Sequence, residues 1–221
     1  MQIQLIYLLV IKITRIFLSI AVITITLSSL IELENQNTKI AFGIDESKSF
    51  VTYNNLKLNF SIQYPSNWEI TERIFNSQIE NISKTIEIKS PFEGSQDLIQ
   101  EQFIISLNKL QNNITFNDYV NNALNQFKKE YRDFKLISND STIIDNHNTI
   151  KISYSYIAGV DPLSIKLIMT HYIISDGNQV YVLSFGTPPD KYYDYINTID
   201  NMINSFKILN NMYIKEDIKS I

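Results

Sequence analysis

Leu56-Lys57-Leu58-Asn59-Phe60-Ser61-Ile62-Gln63-Tyr64-Pro65-Ser66-Asn67-Trp68 is the stretch on which the fold turns. Leu56, Leu58, Phe60, Ile62 and Tyr64 alternate with Lys57, Asn59, Ser61 and Gln63, the period of a strand with one face buried and one in water. Pro65, Ser66 and Asn67 supply turn chemistry, and Trp68, the only tryptophan, opens a second short run with Ile70 on its face. A strand, a turn and a large aromatic residue mark the beginning of a folded domain.

Downstream, Thr85 to Ser90 and Gln102 to Leu110 repeat the period of two, and Pro91 and Gly94 mark an exposed loop between them. Thr115 to Asp133 changes period: Phe116, Tyr119, Val120, Ala123, Leu124, Phe127 and Tyr131 fall on one helical stripe. Thr115 with Asp118 forms a variant of the capping box, and Lys128, Lys129 and Arg132 lie near the negative end of the helix. Strand patterns return at Lys135 to Asp145, Thr149 to Ala158, Leu163 to Ser175 and Gln179 to Phe185. The last two are joined by Asp176-Gly177-Asn178, a hairpin signal. In Leu163 to Ser175 both faces are apolar, which predicts a strand covered on both sides. Pro188 and Pro189 end the sheet and open a second amphipathic helix, with Tyr195, Ile196, Ile199, Met202, Ile203 and Phe206 on its stripe. The expected fold is α+β, a mostly antiparallel sheet sandwiched between helices.

Upstream, Ile16 to Ile31 is an unbroken run of apolar, Ser and Thr residues, with Lys12 and Arg15 before it and Glu32 and Glu34 after it. Cations on the near side and acids on the far side orient such a segment with the rest of the chain on the outer face of the membrane. Sixteen residues fall short of the roughly 20 that span a bilayer, which suits a cleaved signal peptide. A tilted span from Leu5 to Leu30 with Lys12 snorkelling makes a retained anchor instead. The division read from the sequence is 1–31 as signal peptide or anchor, 32–49 as polar tether, 50–209 as one folded domain and 210–221 as tail.

Composition excludes several functions. There is no Cys, which removes disulfides, thiolate metal sites, a cysteine nucleophile and a lipidated cysteine. The net charge of −4 becomes more negative once Lys12 and Arg15 are set aside, so nucleic acid is not an expected partner. With 12 Phe and 13 Tyr the chain fills a core without staples.

Tyr64, Pro65 and Trp68, then Phe116 to Val120, then Val180 to Phe185, and finally Ser205 and Phe206 resemble, in that order, the PsbP-like family over Phe50 to Leu209. The resemblance implies an α/β/α sandwich shared with the Ran-binding Mog-type proteins. Plant and algal members are extrinsic subunits on the lumenal side of photosystem II, where they help retain calcium and chloride. Calcium enters as a cofactor only through this resemblance.

No nucleophile elbow, phosphate loop, dinucleotide fingerprint or zincin helix occurs, and an enzyme is not expected. His147 and His171 would have to converge with carboxylates to bind a metal, and Asp140, Asp145, Asp161 and Asp176 lie near strand ends without EF-hand spacing. The Asn-Xaa-Ser/Thr sites at Asn59, Asn81, Asn113 and Asn139 are no more than the abundance of Asn gives by chance, and Asn59 is placed on the polar face of a strand. Tyr192 and Tyr193 stand off the core stripe of the last helix. They either cover the sheet edge or form a partner surface. The expected function is an extracytoplasmic, non-enzymatic module, secreted or held by its N-terminus, that docks onto a membrane or envelope protein. A small-ligand or calcium-binding protein is the alternative.

Overall fold

The computed structural model describes residues 49–75, 83–94, 100–111, 113–162 and 164–209. The expected signal peptide or anchor, the tether and the tail lie outside the described residues. Among the described residues no helix is long and apolar enough to cross a membrane.

Seven strands form the main sheet: β3 (Glu69–Phe75), β4 (Ser83–Lys89), β5 (Gln102–Lys109), β6 (Arg132–Ile144), β7 (His147–Ala158), β8 (Ile165–Asp176) and β9 (Gln179–Thr187). Their spatial order is β3-β4-β5-β9-β8-β7-β6, and every neighbouring pair is antiparallel. β1 (Phe50–Asn55), β2 (Phe60–Pro65) and β10 (Lys207–Ile208) make a small second sheet in the order β1-β2-β10. Two helices, α1 (Phe116–Glu130) and α2 (Tyr192–Ser205), complete the fold.

Strand alternation divides the core in two. On one face Ile86, Ile88, Phe103, Ile105, Leu183 and Phe185 meet the buried side of α2 and the inner residues Phe60 and Ile62 of the small sheet. On the other, Ile152, Tyr154, Tyr156, Leu167 and Val180 meet Val120, Leu124 and Phe127 of α1. The sheet is thus sandwiched between helices, as the two-sided pattern of β8 implies. Each fully buried Phe contributes about 1.5–3 kcal/mol by leaving water. The Tyr181 hydroxyl donates to the Leu58 carbonyl at 2.8 Å, which fastens the turn before β2 to the large sheet, and the Leu209 amide donates to the Asn59 carbonyl at 2.7 Å within the small sheet.

Local chemistry sets the boundaries. Thr115 caps α1 as expected: its hydroxyl accepts the Asp118 amide at 3.1 Å, and the Asp118 carboxylate accepts the Thr115 amide at 3.1 Å. Gly177, first in the two-residue loop between β8 and β9, has φ +60°, the conformation that asks for glycine there. Asp145 and Asn146, at φ +48° and +62°, turn β6 into β7.

The opening stretch departs from expectation. Leu56 to Tyr64 is not one strand: the chain turns over residues 56–59 and the strand begins at Phe60. The Asn55 side chain accepts the amides of Lys57 at 3.1 Å and Leu58 at 2.9 Å, and Asn59 adopts φ +54°. Side-chain capture of the backbone by Asn competes with strand pairing and wins here. Asn59 therefore lies in a turn and not on a strand face, and Leu56 is 63% exposed. The helix expected to reach Asp133 stops at Glu130, because Asp133 has φ +54° and β6 has already begun.

Candidate functional site

α2 packs over β2 and the middle of the sheet, beside the β6–β7–β8 half of that face. On that half Ser153 of β7 and Thr170 of β8 are buried, and their hydroxyls lie 3.0 Å apart. The first turn of α2 overhangs this region. The result is an open groove of about 390 Å³, with Lys151, Ser153 and Ile168 on its floor and Ile137, Tyr192 and Tyr193 on its walls. Pro189 and Ser138 also line it.

Both tyrosines singled out in the sequence are therefore at the groove. Tyr192 is half-buried and Tyr193 is 81% exposed. Their rings meet edge to face, with centroids 5.5 Å apart. Tyr195, one turn into the helix, is buried instead, as its place on the stripe requires. Lys151, Ser153 and Ile137 carried no signal in the sequence. They come together only through the register of β6 with β7, where an irregularity between Leu136 and Ser138 leaves Ile137 outside the pairing.

The charge in the groove is Lys151. Its Nζ lies 5.3 Å from the centre of the Tyr172 ring. Burial pulls its pKa down, but Tyr172, Tyr192 and Asp200 outweigh that, and the net shift is upward. The group stays an ammonium ion at physiological pH.

A polar cluster secures the helix end that overhangs the groove. Glu93 receives Lys191 in an ion pair and the Tyr195 hydroxyl at 2.5 Å. The Ser90 hydroxyl donates to the buried Glu101 carboxylate at 2.9 Å. Burial, then Glu93, then Glu101 push the Tyr195 phenol upward. Trp68 packs edge-on against Tyr195 from below.

The remaining candidates do not converge. His171 is buried between Phe127 and Tyr154: its Nε2 lies 2.9 Å from the Tyr154 hydroxyl and its Nδ1 2.8 Å from that of Ser184. Burial lowers its pKa to about 4, so it is neutral and ties strands together. His147 lies at the hairpin end, 3.6 Å from Asp176. Asp145 accepts the Ile208 amide at 2.7 Å and pairs with Lys207 at 3.1 Å. Asp161 receives Ser164 at 2.5 Å and Arg132 at 3.5 Å, and Asp140 is exposed on β6. Among the described residues no three His, Cys, Asp or Glu side chains are placed to hold a metal ion.

An antiparallel sheet between two helices, carrying an open aromatic-walled groove, defines an α/β/α sandwich module. The chain belongs to the PsbP-like protein family, whose model matches residues 9–208. No curated protein matches the sequence. Among solved structures it is similar to cyanobacterial PsbP (CyanoP) from Synechocystis sp. PCC 6803, with 13% identity, a TM-score of 0.49 and coverage of 76% of this chain and 97% of that one. It is also similar to PA94 from Pseudomonas aeruginosa, a protein of unknown function, with 18% identity, a TM-score of 0.48 and coverage of 71% and 94%. LpqN of Mycobacterium tuberculosis, involved in cell envelope biogenesis, is similar at 12% identity, a TM-score of 0.46 and coverage of 75% and 88%.

Proposed function

We propose that this PsbP-like chain is an extracytoplasmic module that works by binding: it is delivered across the membrane by its N-terminal segment and docks onto a membrane or envelope protein through the Tyr192–Tyr193 groove. The location is supported by Lys12 and Arg15 before the apolar run and Glu32 and Glu34 after it. The observation that carries docking is the pairing of an 81% exposed Tyr193 with an open groove around a charged lysine. Tyrosine combines a large apolar body with a polar tip and is enriched where proteins meet. An open groove flanked by an exposed aromatic ring suits another macromolecular surface, since a small ligand is ordinarily enclosed over most of its area.

The test is recovery of crosslinked partner from native membranes with a tagged full-length chain. Tyr192→Ser with Tyr193→Ser is expected to lower recovery at least tenfold while the melting curve stays unchanged. Undiminished recovery by the folded double variant contradicts the docking site.

A further inference from the structure

The two helices begin differently. α1 carries its own capping box, whereas Pro188 and Pro189 lead into α2 and Lys191, at its N-cap, makes no side-chain cap bond. Proline has no N–H to give and lysine has no acceptor, so the first-turn amides of α2 lack what Thr115 supplies to α1. Two backbone bonds wind the chain into the helix, from the Lys191 amide to the Pro188 carbonyl at 3.1 Å and from the Asp194 amide to the Lys191 carbonyl at 3.0 Å. This weakly capped turn is the one that carries the docking tyrosines. Tyr193 is 81% exposed and its ring meets that of Tyr192, so the turn beneath them sets where both rings stand.

One carboxylate grips that turn from another part of the fold. Glu93, beyond the end of β4, receives the Lys191 ammonium in an ion pair and the Tyr195 hydroxyl at 2.5 Å. Lys191 and Tyr195 are one helical turn apart and share a face. Tyr193 lies about 200° around the axis from Lys191, so the grip comes from the side away from it. With side chains 36% and 38% exposed, the ion pair alone would hold little. Tyr195 is 5% exposed and packed against Trp68, and its hydrogen bond to a charged acceptor fixes the carboxylate in place. Glu101 and Asp194 also draw the Lys191 ammonium, each less than Glu93 does. Glu93 itself does not line the groove.

We propose that Glu93 is a positioning residue for docking: acting through Lys191 and Tyr195, it holds the first turn of α2 in the pose in which Tyr192 and Tyr193 wall the groove. The inference rests on the docking reading above and adds a residue on which docking depends without touching the partner. Without the carboxylate the turn frays, the two rings lose their common orientation, and the partner meets a wall that it must first order.

The test uses the full-length tagged chain, with two readouts. Hydrogen exchange in detergent follows the amides of Asp194, Tyr195 and Ile196, and crosslinking in native membranes follows recovery of the partner. Glu93→Ala is expected to speed exchange of those three amides at least tenfold, to leave Met202 and Ile203 at the far end of α2 unchanged, and to lower recovery at least fivefold. Glu93→Gln keeps an acceptor for the Tyr195 hydroxyl and loses the ion pair, so it should fall between Glu93→Ala and the unaltered chain in both readouts. It replaces Glu93→Ala should that variant not fold. Glu93→Lys should lower recovery, and Glu93→Lys with Lys191→Glu, which restores the pair with its signs exchanged, should bring it back. In a Tyr193→Ser background Glu93→Ala should lower recovery no further, since both changes act through the same wall. Faster exchange with undiminished recovery, lowered recovery with unchanged exchange, a charge exchange that restores nothing, or a fully additive loss overturns the inference. The two readings fail separately. If Tyr192→Ser with Tyr193→Ser depletes the partner while recovery ignores Glu93, docking stands and the positioning role falls. A partner unaffected by the tyrosine changes overturns docking and the positioning role with it.

Discussion

Trp68 packs edge-on against Tyr195, with ring centroids 5.9 Å apart and planes at 62°. The contact joins the residue that opens the domain in the sequence to the helix whose first turn overhangs the groove, so fold and site share one aromatic pair. Both rings are buried.

Trp68→Ala should therefore cost about 3–5 kcal/mol, through lost burial and the cavity left behind. Urea denaturation followed by circular dichroism measures it. Trp68→Phe should cost less by refilling part of the space. Equal losses for both variants would show that volume is not what Trp68 contributes.

Replacing Thr115 by Ala removes the acceptor of the Asp118 amide at the start of α1 and should cost about 1 kcal/mol. The change is exposed and confined to one helix end, so a shift in the urea midpoint without a change in slope is the expected signature. A loss below about 0.3 kcal/mol would mean that packing of Val120, Leu124 and Phe127 alone sets α1.

These two positions illustrate what the sequence disclosed. The capping box, the helical stripe and the Gly177 hairpin are local, written by residues a few positions apart, and each stands where its chemistry requires. The run from Leu56 to Tyr64 misled because alternation says nothing about where pairing begins, and Asn55 and Asn59 held the turn signal. β1 and β10 escaped notice for related reasons: Val51 and Thr52 are both exposed, and β10 is two residues long, held by β2 and by Asp145. Tyr193 was legible as surface because helical spacing excludes it from the stripe, whereas Tyr192, three residues before Tyr195, falls at the stripe's edge and is half-buried. Their neighbours Lys151 and Ile137 were not legible, because a strand register with an irregularity in it brings them together.

Stability should fall with pH through His171. Burial lowers its folded pKa to about 4 against 6.5 for an exposed histidine. The unfolded chain takes up the proton first as pH drops below 6.5, the folded one only near 4, so this stability is complete above 6.5 and is lost across that window. The full effect is about 3 kcal/mol. Urea midpoints at pH 4.5 to 7 should show a flatter acid limb in His171→Gln than in the unaltered protein. Parallel limbs would contradict a neutral, buried His171.

Orientation across the membrane has its own check. A membrane-impermeant amine reagent applied to intact spheroplasts should modify the exposed Lys57, Lys129 and Lys135. Modification only after lysis would place the folded part in the cytoplasm and remove the basis of the proposed function.

The groove is the proposed place of contact, and a photo-crosslinking residue at position 193 in native membranes measures that directly. The same residue at position 129, exposed on α1 across the sheet, serves as the comparison. Crosslinking of one membrane or envelope protein from position 193, and at least tenfold less from position 129, is the expected result. Equal crosslinking from both positions, or none from position 193, would contradict it.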